Sequence, residues 1–199
     1  GDTTVVGLGA ADKLFINTAG MGAIPSDIHW GAATLTPGDL LIVSGTLGDH
    51  GATILNLREQ LGLDGELQSD CAVLTPLIQS LRPIAGVKAL RDATRGGVNA
   101  VAHEFAATSG YGVEIHEQNI PLKDAVRGVC ELLGLDALNF ANEGKLMIGV
   151  TREAAEEVLA ALRAHPLGRD AAIIGEITER RGVRVAGLYG VKRTLDLPH

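Results

Sequence analysis

Residues 91–109 read Arg91-Asp92-Ala93-Thr94-Arg95-Gly96-Gly97-Val98-Asn99-Ala100-Val101-Ala102-His103-Glu104-Phe105-Ala106-Ala107-Thr108-Ser109, and the fold class turns on them. Val98, Val101, Ala102, Phe105 and Ala106 fall at i, i+3, i+4, i+7 and i+8, one apolar stripe on a helix that Gly110 can stop. Working outward, similar stripes are carried by Val126, Val129, Cys130 and Leu133 before Gly134, and by Ala155, Val158, Leu159 and Leu162 before Pro166. Two further helices are predicted over 51–61 and 70–81. Alternation and β-branched content predict strands over 13–18, 39–44, 112–115, 145–150, 172–177 and 183–186, with a hairpin near Arg181-Gly182. Strands interleaved with helices at irregular spacing give an α/β (α+β) domain, a mixed sheet packed with helices. Residues 20–37 lack a clean period and read as a connection from an upstream unit. Residues 189–199 read as an extended segment leaving the domain.

Composition narrows the function. With 46% hydrophobic and 21% charged residues among 199, the chain is neither disordered nor collagen-like. Aromatic residues make up 3%, so the core must come from Val, Leu, Ile and Ala, and recognition by aromatic stacking is excluded. Against 24 Asp and Glu stand 17 Lys and Arg, and the resulting charge of −7 repels polyphosphate backbones, which excludes nucleic acid. Cys71 and Cys130 lie far apart with no C-x-x-C, so a disulfide framework and a zinc knuckle lack support. Both cysteines fall on predicted apolar helix faces and are expected in the core. A reducing cytoplasm is expected, and no apolar run is long enough for a membrane span. The start, Gly1-Asp2-Thr3-Thr4, carries no Met, basic region or apolar region, so a fragment or processed chain is expected.

Nucleotide signatures of the common kinds are missing. Gly7-Leu8-Gly9 lacks the third glycine of a dinucleotide loop, and Gly144-Lys145 is followed by Leu146 rather than Ser or Thr. There is no G-x-S-x-G elbow around Ser44, and the six histidines never recur at metal-ligand spacing. Three polar clusters remain. Arg91 to Gly97 opens a helix, where free backbone N–H groups and the dipole can cradle an anion; the alternative is an ordinary Asp or Thr cap with two solvated arginines. Gly45-Thr46-Leu47-Gly48-Asp49-His50-Gly51 joins a strand to a helix, with Asp49 or His50 able to meet a metal or phosphate, or else is a structural turn. Asn142-Glu143-Gly144 precedes an apolar strand and sets a carboxylate at its edge, fit for general-base work if buried, or else is a turn with a solvated Glu.

Taken together, GDT at 1–3, LFINTAGMG at 14–22, SGTLGDHG at 44–51, SDCAVLTPL at 69–77, RDATRGGVNAV at 91–101, VRGVCELLG at 126–134, NEGKL at 142–146 and IGEI at 174–177 resemble the HypE family of hydrogenase maturation proteins over the whole chain. Similarity to the enterobacterial form is especially strong. The resemblance implies the superfamily of aminoimidazole ribonucleotide (AIR) synthetase, selenophosphate synthetase and thiamine-phosphate kinase. It makes 1–30 the last strand region of an N-terminal ATP-binding domain, 31–190 the C-terminal domain and 191–199 the start of a C-terminal tail. The implied activity is a carbamoyl dehydratase, a lyase. HypF supplies a carbamoyl group to a C-terminal cysteine, ATP with Mg²⁺ phosphorylates its oxygen, and elimination leaves a thiocyanate, the source of the cyanide ligand of [NiFe] hydrogenase. Implied partners are HypF, the HypC–HypD complex and a second copy in a homodimer.

By the same resemblance Glu143 matches the family's catalytic glutamate, and Asp2 lies near the nucleotide phosphates and Mg²⁺. Asp92, Arg95, Gly96 and Gly97 match the anion-binding helix start, and Asp49, His50 and Asn142 join the ATP and phosphate set. Three departures stand out. The family's N-terminal region is missing before Gly1, Thr4 stands where the family reads Lys, and the sequence ends Leu197-Pro198-His199 rather than in the family's Pro-Arg-Ile-Cys. This chain is therefore expected to be inactive alone. The alternative is a catalytically dead HypE-like domain serving dimerisation or docking of HypC–HypD. A kinase or synthetase acting on a free small molecule is disfavoured by SDCAVLTPL and VRGVCELLG.

Overall fold

In the computed structural model, which describes residues 20–63, 67–187 and 189–197, the stripe at 98–106 becomes a helix over Gly97–Ser109. It is α3 in a chain order of β1 (Leu40–Val43), α1 (Asp49–Glu59), α2 (Thr75–Leu81), β2 (Val87–Asp92), α3, β3 (Gly112–His116), α4 (Asp124–Leu133), β4 (Leu146–Val150), α5 (Ala155–Arg163), β5 (Ala172–Thr178), β6 (Gly182–Ala186) and β7 (Lys192–Thr194). The strands form one mixed sheet in the order β2-β4-β1-β5-β3-β6-β7. Only β3 and β6 run parallel; the other described pairings are antiparallel.

Each strand of the central group is buried on both sides because helices cover both faces. Leu41, Val43, Val113, Ile115, Met147 and Val183 pack under α3 through Val98, Val101, Ala102 and Phe105. On the opposite face Ile42, Ile148 and Val150 meet Leu77 and Leu81 of α2 and Val158 and Leu162 of α5. Each such Leu, Ile or Val contributes about 1.5–3 kcal/mol by leaving water. A smaller cluster, Ala52, Leu67, Val126 and Val129, joins α1 to α4 beyond the end of the sheet.

The expected mixed α/β sheet is present, and its differences from expectation have local causes. The strand predicted over 13–18 lies outside the described residues. The helix predicted over 70–81 begins only at Thr75, where Pro76 takes a first-turn position it tolerates well. An additional strand, β2, pairs with β4 from Val87 to Asp92. Residues 192–194, read as part of a segment leaving the domain, instead pair with Arg184 to Ala186 as β7. Leu195 follows them into the core, and His103 Nε2 lies 2.9 Å from its carbonyl. Among the described residues no helix is long and apolar enough to cross a membrane.

Candidate functional site

Sheet register brings the candidate residues to one end of the molecule. Because β4 runs antiparallel to both β1 and β2, Met147 pairs with Val43 and Leu146 with Asp92, so the entry to β4 meets the exits of β1 and β2. Val43 also pairs with Ala172, which adds the entry to β5. The loops leaving these strand ends are cross-tied: Gly51 N–H donates to the Ala141 carbonyl at 3.0 Å and Ala93 N–H to the Lys145 carbonyl at 3.1 Å. Ser44 Oγ accepts from Leu146 N–H at 2.9 Å.

Asn142 is the centre of these ties. Its side chain is 1% exposed, and its Oδ1 accepts from Gly48 N–H at 2.8 Å. Its Nδ2 donates to the carbonyls of Ala93 at 3.0 Å and Phe140 at 2.9 Å. Whereas sequence reading sets Asn142 among the phosphate ligands, the structure turns its amide inward to hold three loops together. Glu143, the next residue, is exposed. Of the two sequence alternatives, a buried carboxylate or a turn with a solvated Glu, the structure shows an exposed side chain. What fixes it is its backbone, whose N–H donates to Asp70 Oδ1 at 2.9 Å. Gly144 lies so close to the 70–72 segment that a Cβ there would stand 1.8 Å from the Asp70 carbonyl oxygen, so only glycine fits.

The second cluster starts α3. Gly96 is its N-cap in left-handed conformation (φ 77°), and no side chain caps the helix. Gly97 follows at φ 63°, and a Cβ there would lie 2.4 Å from the Leu138 carbonyl oxygen. Arg95 is exposed. Asp92 Oδ2 accepts from Thr94 Oγ1 at 2.8 Å, and its Oδ1 pairs with Arg91, which also reaches Glu104 Oε2 at 2.9 Å. Partial burial pushes the Asp92 carboxyl up, but the Thr94 hydroxyl and the Arg91 charge outweigh it and hold it below the usual carboxylate range. Neither Asp92 nor Thr94 caps α3, and Arg91 is engaged by two carboxylates.

Asp49 and His50 open α1. Asp49 is 2% exposed and accepts from Thr46 Oγ1 at 2.6 Å and pairs with Lys123 Nζ at 3.1 Å. His50 Nδ1 lies 2.9 Å from Ser69 Oγ. Asp49 lines a polar cleft of about 270 Å³ whose walls also include Thr46, Asp70, Cys71, Lys123 and Lys145, and His50 reaches that wall through Ser69. A larger hollow of about 570 Å³, lined by Ile120, Leu122, Cys130 and Leu135, holds none of the candidate residues, so the smaller cleft is the candidate site. Asp2 lies outside the described residues.

Sequence reading missed Asp70, Lys123 and Lys145, and misplaced Cys71. No spacing signals a single Asp ahead of a cysteine. Gly144-Lys145 stood out only as a failed phosphate loop. Cys71, expected in the core, is exposed ahead of α2, with its Sγ accepting from Ser69 Oγ at 3.2 Å. Cys130 is half-buried on α4, where burial first, and then the Asp136 charge, push its thiol up against the opposing pull of Arg127.

Comparison with known proteins gives a consistent set of relatives. Residues 36–187 match the family described as AIR synthase related protein, C-terminal domain. The carbamoyl dehydratase HypE of Escherichia coli (strain K12) is 80% identical over 199 residues, all of this chain and 59% of its own length. That of Azotobacter vinelandii is 44% identical over 98% of this chain and 58% of its own length. The chain thus spans about three fifths of the length of these curated relatives. A crystal structure of E. coli HypE superposes with a TM-score of 0.94 at 82% identity, covering 96% of this chain and 60% of that one. A HypE–HypF complex aligns at TM-score 0.81 and 40% identity over 84% of this chain and 55% of that one. HypE in complex with ATP aligns at 0.81 and 35% identity over 85% and 53%.

Proposed function

The chain belongs to the family of AIR synthase related proteins through their C-terminal domain, and from that premise we propose that it serves as this domain of an ATP-dependent carbamoyl dehydratase of the HypE type. Residues 31–190 form the domain in this proposal, 1–30 the last strand region of an N-terminal ATP-binding domain, and 191–199 the start of the tail. Support comes from the 80% identity to E. coli HypE and from the likeness to HypE with ATP and in complex with HypF. The reaction dehydrates a carbamoylated C-terminal cysteine to a thiocyanate and takes place in the cytoplasm. HypF donates the carbamoyl group, HypC–HypD receives the cyanide, and the full-length protein works as a homodimer. We further propose that these 199 residues are inactive by themselves, because they span only about three fifths of their relatives' length.

The chemistry needs two things from this domain. An amide oxygen leaves poorly until phosphorylated, and the phosphorylated species collapses to a nitrile only when a base takes a proton from its nitrogen. Glu143 is that base. The observation that carries the reading is its placement: its backbone is fixed by buried Asp70 beside a polar cleft, at the same sheet end as the uncapped start of α3. The Gly96 N–H and the Arg95 charge face the phosphates of ATP, as helix starts do, while Gly97, whose own N–H donates to the Thr94 carbonyl at 3.0 Å, shapes the turn that presents them. Asp92, engaged by Thr94 and Arg91, belongs to the phosphate-binding set, and Asp2 would hold Mg²⁺ beside the polyphosphate. Asp49 lines the cleft wall, His50 supports it through Ser69, and Asn142 holds the surrounding loops in register.

Thr4, in place of the family's lysine, favours a second reading: a dead domain kept for dimerisation or docking of HypC–HypD. Supplying HypF, its carbamoyl source and ATP to the protein at its relatives' full length separates the two. The enzyme reading expects the tail peptide to gain a carbamoyl group and then lose one water. Stable carbamoylation with no loss of water, in the presence of ATP, would favour the dead domain.

A further inference from the structure

Glu143 sits in a loop, exposed, so packing does not hold it, and a base that is loose by an ångström loses much of its power. The structure ties this loop to one group. Asp70 has a side chain only 2% exposed. Its Oδ1 accepts from Glu143 N–H at 2.9 Å. Its Oδ2 is buried with no hydrogen-bond partner among the described residues, and its nearest cation is Lys145 Nζ at 3.4 Å. Lys145, 12% exposed at its side chain, runs along Gly45 in the cleft wall, with its Cε 3.1 Å from where a Cβ of residue 45 would stand.

A neutral acceptor would suffice to pin one backbone N–H. Burying a carboxylate for that purpose costs several kcal/mol in desolvation, and leaving one of its oxygens without a hydrogen bond adds to the cost. Such an incompletely satisfied buried charge calls for a functional explanation. Resting on the reading of Glu143 as the base, we propose that Asp70 is the positioning residue of the reaction. One of its oxygens sets the Glu143 backbone and the other holds the Lys145 ammonium, so that base and positive charge flank Gly144 in fixed register. Lys145 then faces the phosphate that departs as Glu143 takes the proton.

Two substitutions in the protein at its relatives' full length separate these functions. Asp70→Ala removes both contacts. Asp70→Asn keeps the acceptor for Glu143 N–H and the volume, and removes the charge facing Lys145. For Asp70→Ala the expected result is a fall of about 100-fold in kcat for dehydration, the scale of a misplaced catalytic group, with the KM for ATP unchanged. Asp70→Asn is expected to recover most of that loss, to within about tenfold of the parent. In a double-mutant cycle, Asp70→Ala should cost the Glu143→Gln background no more than Asp70→Asn costs the parent, about tenfold at most through Lys145, because the rest of its effect acts through Glu143. Equal fold-losses from Asp70→Ala in the parent and in the Glu143→Gln background would overturn the proposal, as would a full rate in Asp70→Asn and Asp70→Ala alike. A fully active Glu143→Gln variant would instead remove the base assignment itself, and this proposal with it.

Discussion

Replacing Asn142 by Ala should destabilise the domain more than any other single polar truncation at the cleft. Asn142 is 1% exposed and makes three side-chain hydrogen bonds, to Gly48 N–H, the Ala93 carbonyl and the Phe140 carbonyl. In Asn142→Ala the buried Gly48 N–H loses its acceptor, and an orphaned donor costs about 1–3 kcal/mol. The Ala93 carbonyl keeps the backbone N–H of residue 142 at 3.0 Å, so its loss is small. The Phe140 carbonyl loses a donor worth about 1 kcal/mol. The total is about 3 kcal/mol, which for a domain of this size lowers Tm by about 6–12 °C. Urea unfolding, with ΔG taken by linear extrapolation, measures it. Asn142→Asp sharpens the test, since it keeps an acceptor for Gly48 but turns a carboxylate oxygen toward two carbonyls, and should cost at least as much. A loss below about 0.5 kcal/mol for Asn142→Ala, the level of an ordinary surface change, would refute the reasoning, and so would an aspartate milder than the alanine.

Two further outcomes follow from the same geometry. Iodoacetamide should label exposed Cys71 first and half-buried Cys130 slowly, because burial and Asp136 keep the Cys130 thiol protonated; peptide mass mapping that finds the reverse order would contradict the burial pattern. Asp92 has a folded-state value below its ordinary 3.8, so its stabilising contribution is present above that pH and is lost as pH falls through the folded value. Asp92→Asn should therefore flatten the acid side of the stability curve below about pH 4, and an unchanged acid limb would show that the Thr94 and Arg91 contacts contribute nothing.

How much of this was legible beforehand depended on the range of the signal. The stripe from Val98 to Ala106 and the apolar run from Leu146 to Val150 declare themselves locally, because one buried face or two buried faces impose a period. β2 did not: Val87, Ala89 and Leu90 are separated by Lys88 and end at Arg91, too short an apolar pattern to stand apart from the helix before it. β7, Lys192 to Thr194, is fully exposed and held by its ladder with β6, which no side-chain pattern reports. At the site, Glu143 and the glycines of α3 were visible as motifs, yet Asp70 and Lys145 meet across 75 residues only because antiparallel register stacks the ends of β1, β2 and β4. Cys71 misled for a related reason: a helix was extended back to residue 70, and the apolar face it would have completed does not exist.

The central claim is that Glu143 takes the proton that releases water from the carbamoylated tail. It is tested most directly by single-turnover mass spectrometry of the tail peptide in the full-length protein carrying Glu143→Gln. Glutamine keeps the size and the backbone bond to Asp70 but cannot act as the base. The account predicts that after ATP addition the variant binds nucleotide and retains an intact carbamoyl group, while the parent peptide loses the mass of one water. Loss of water from the variant at the parent's rate would contradict it.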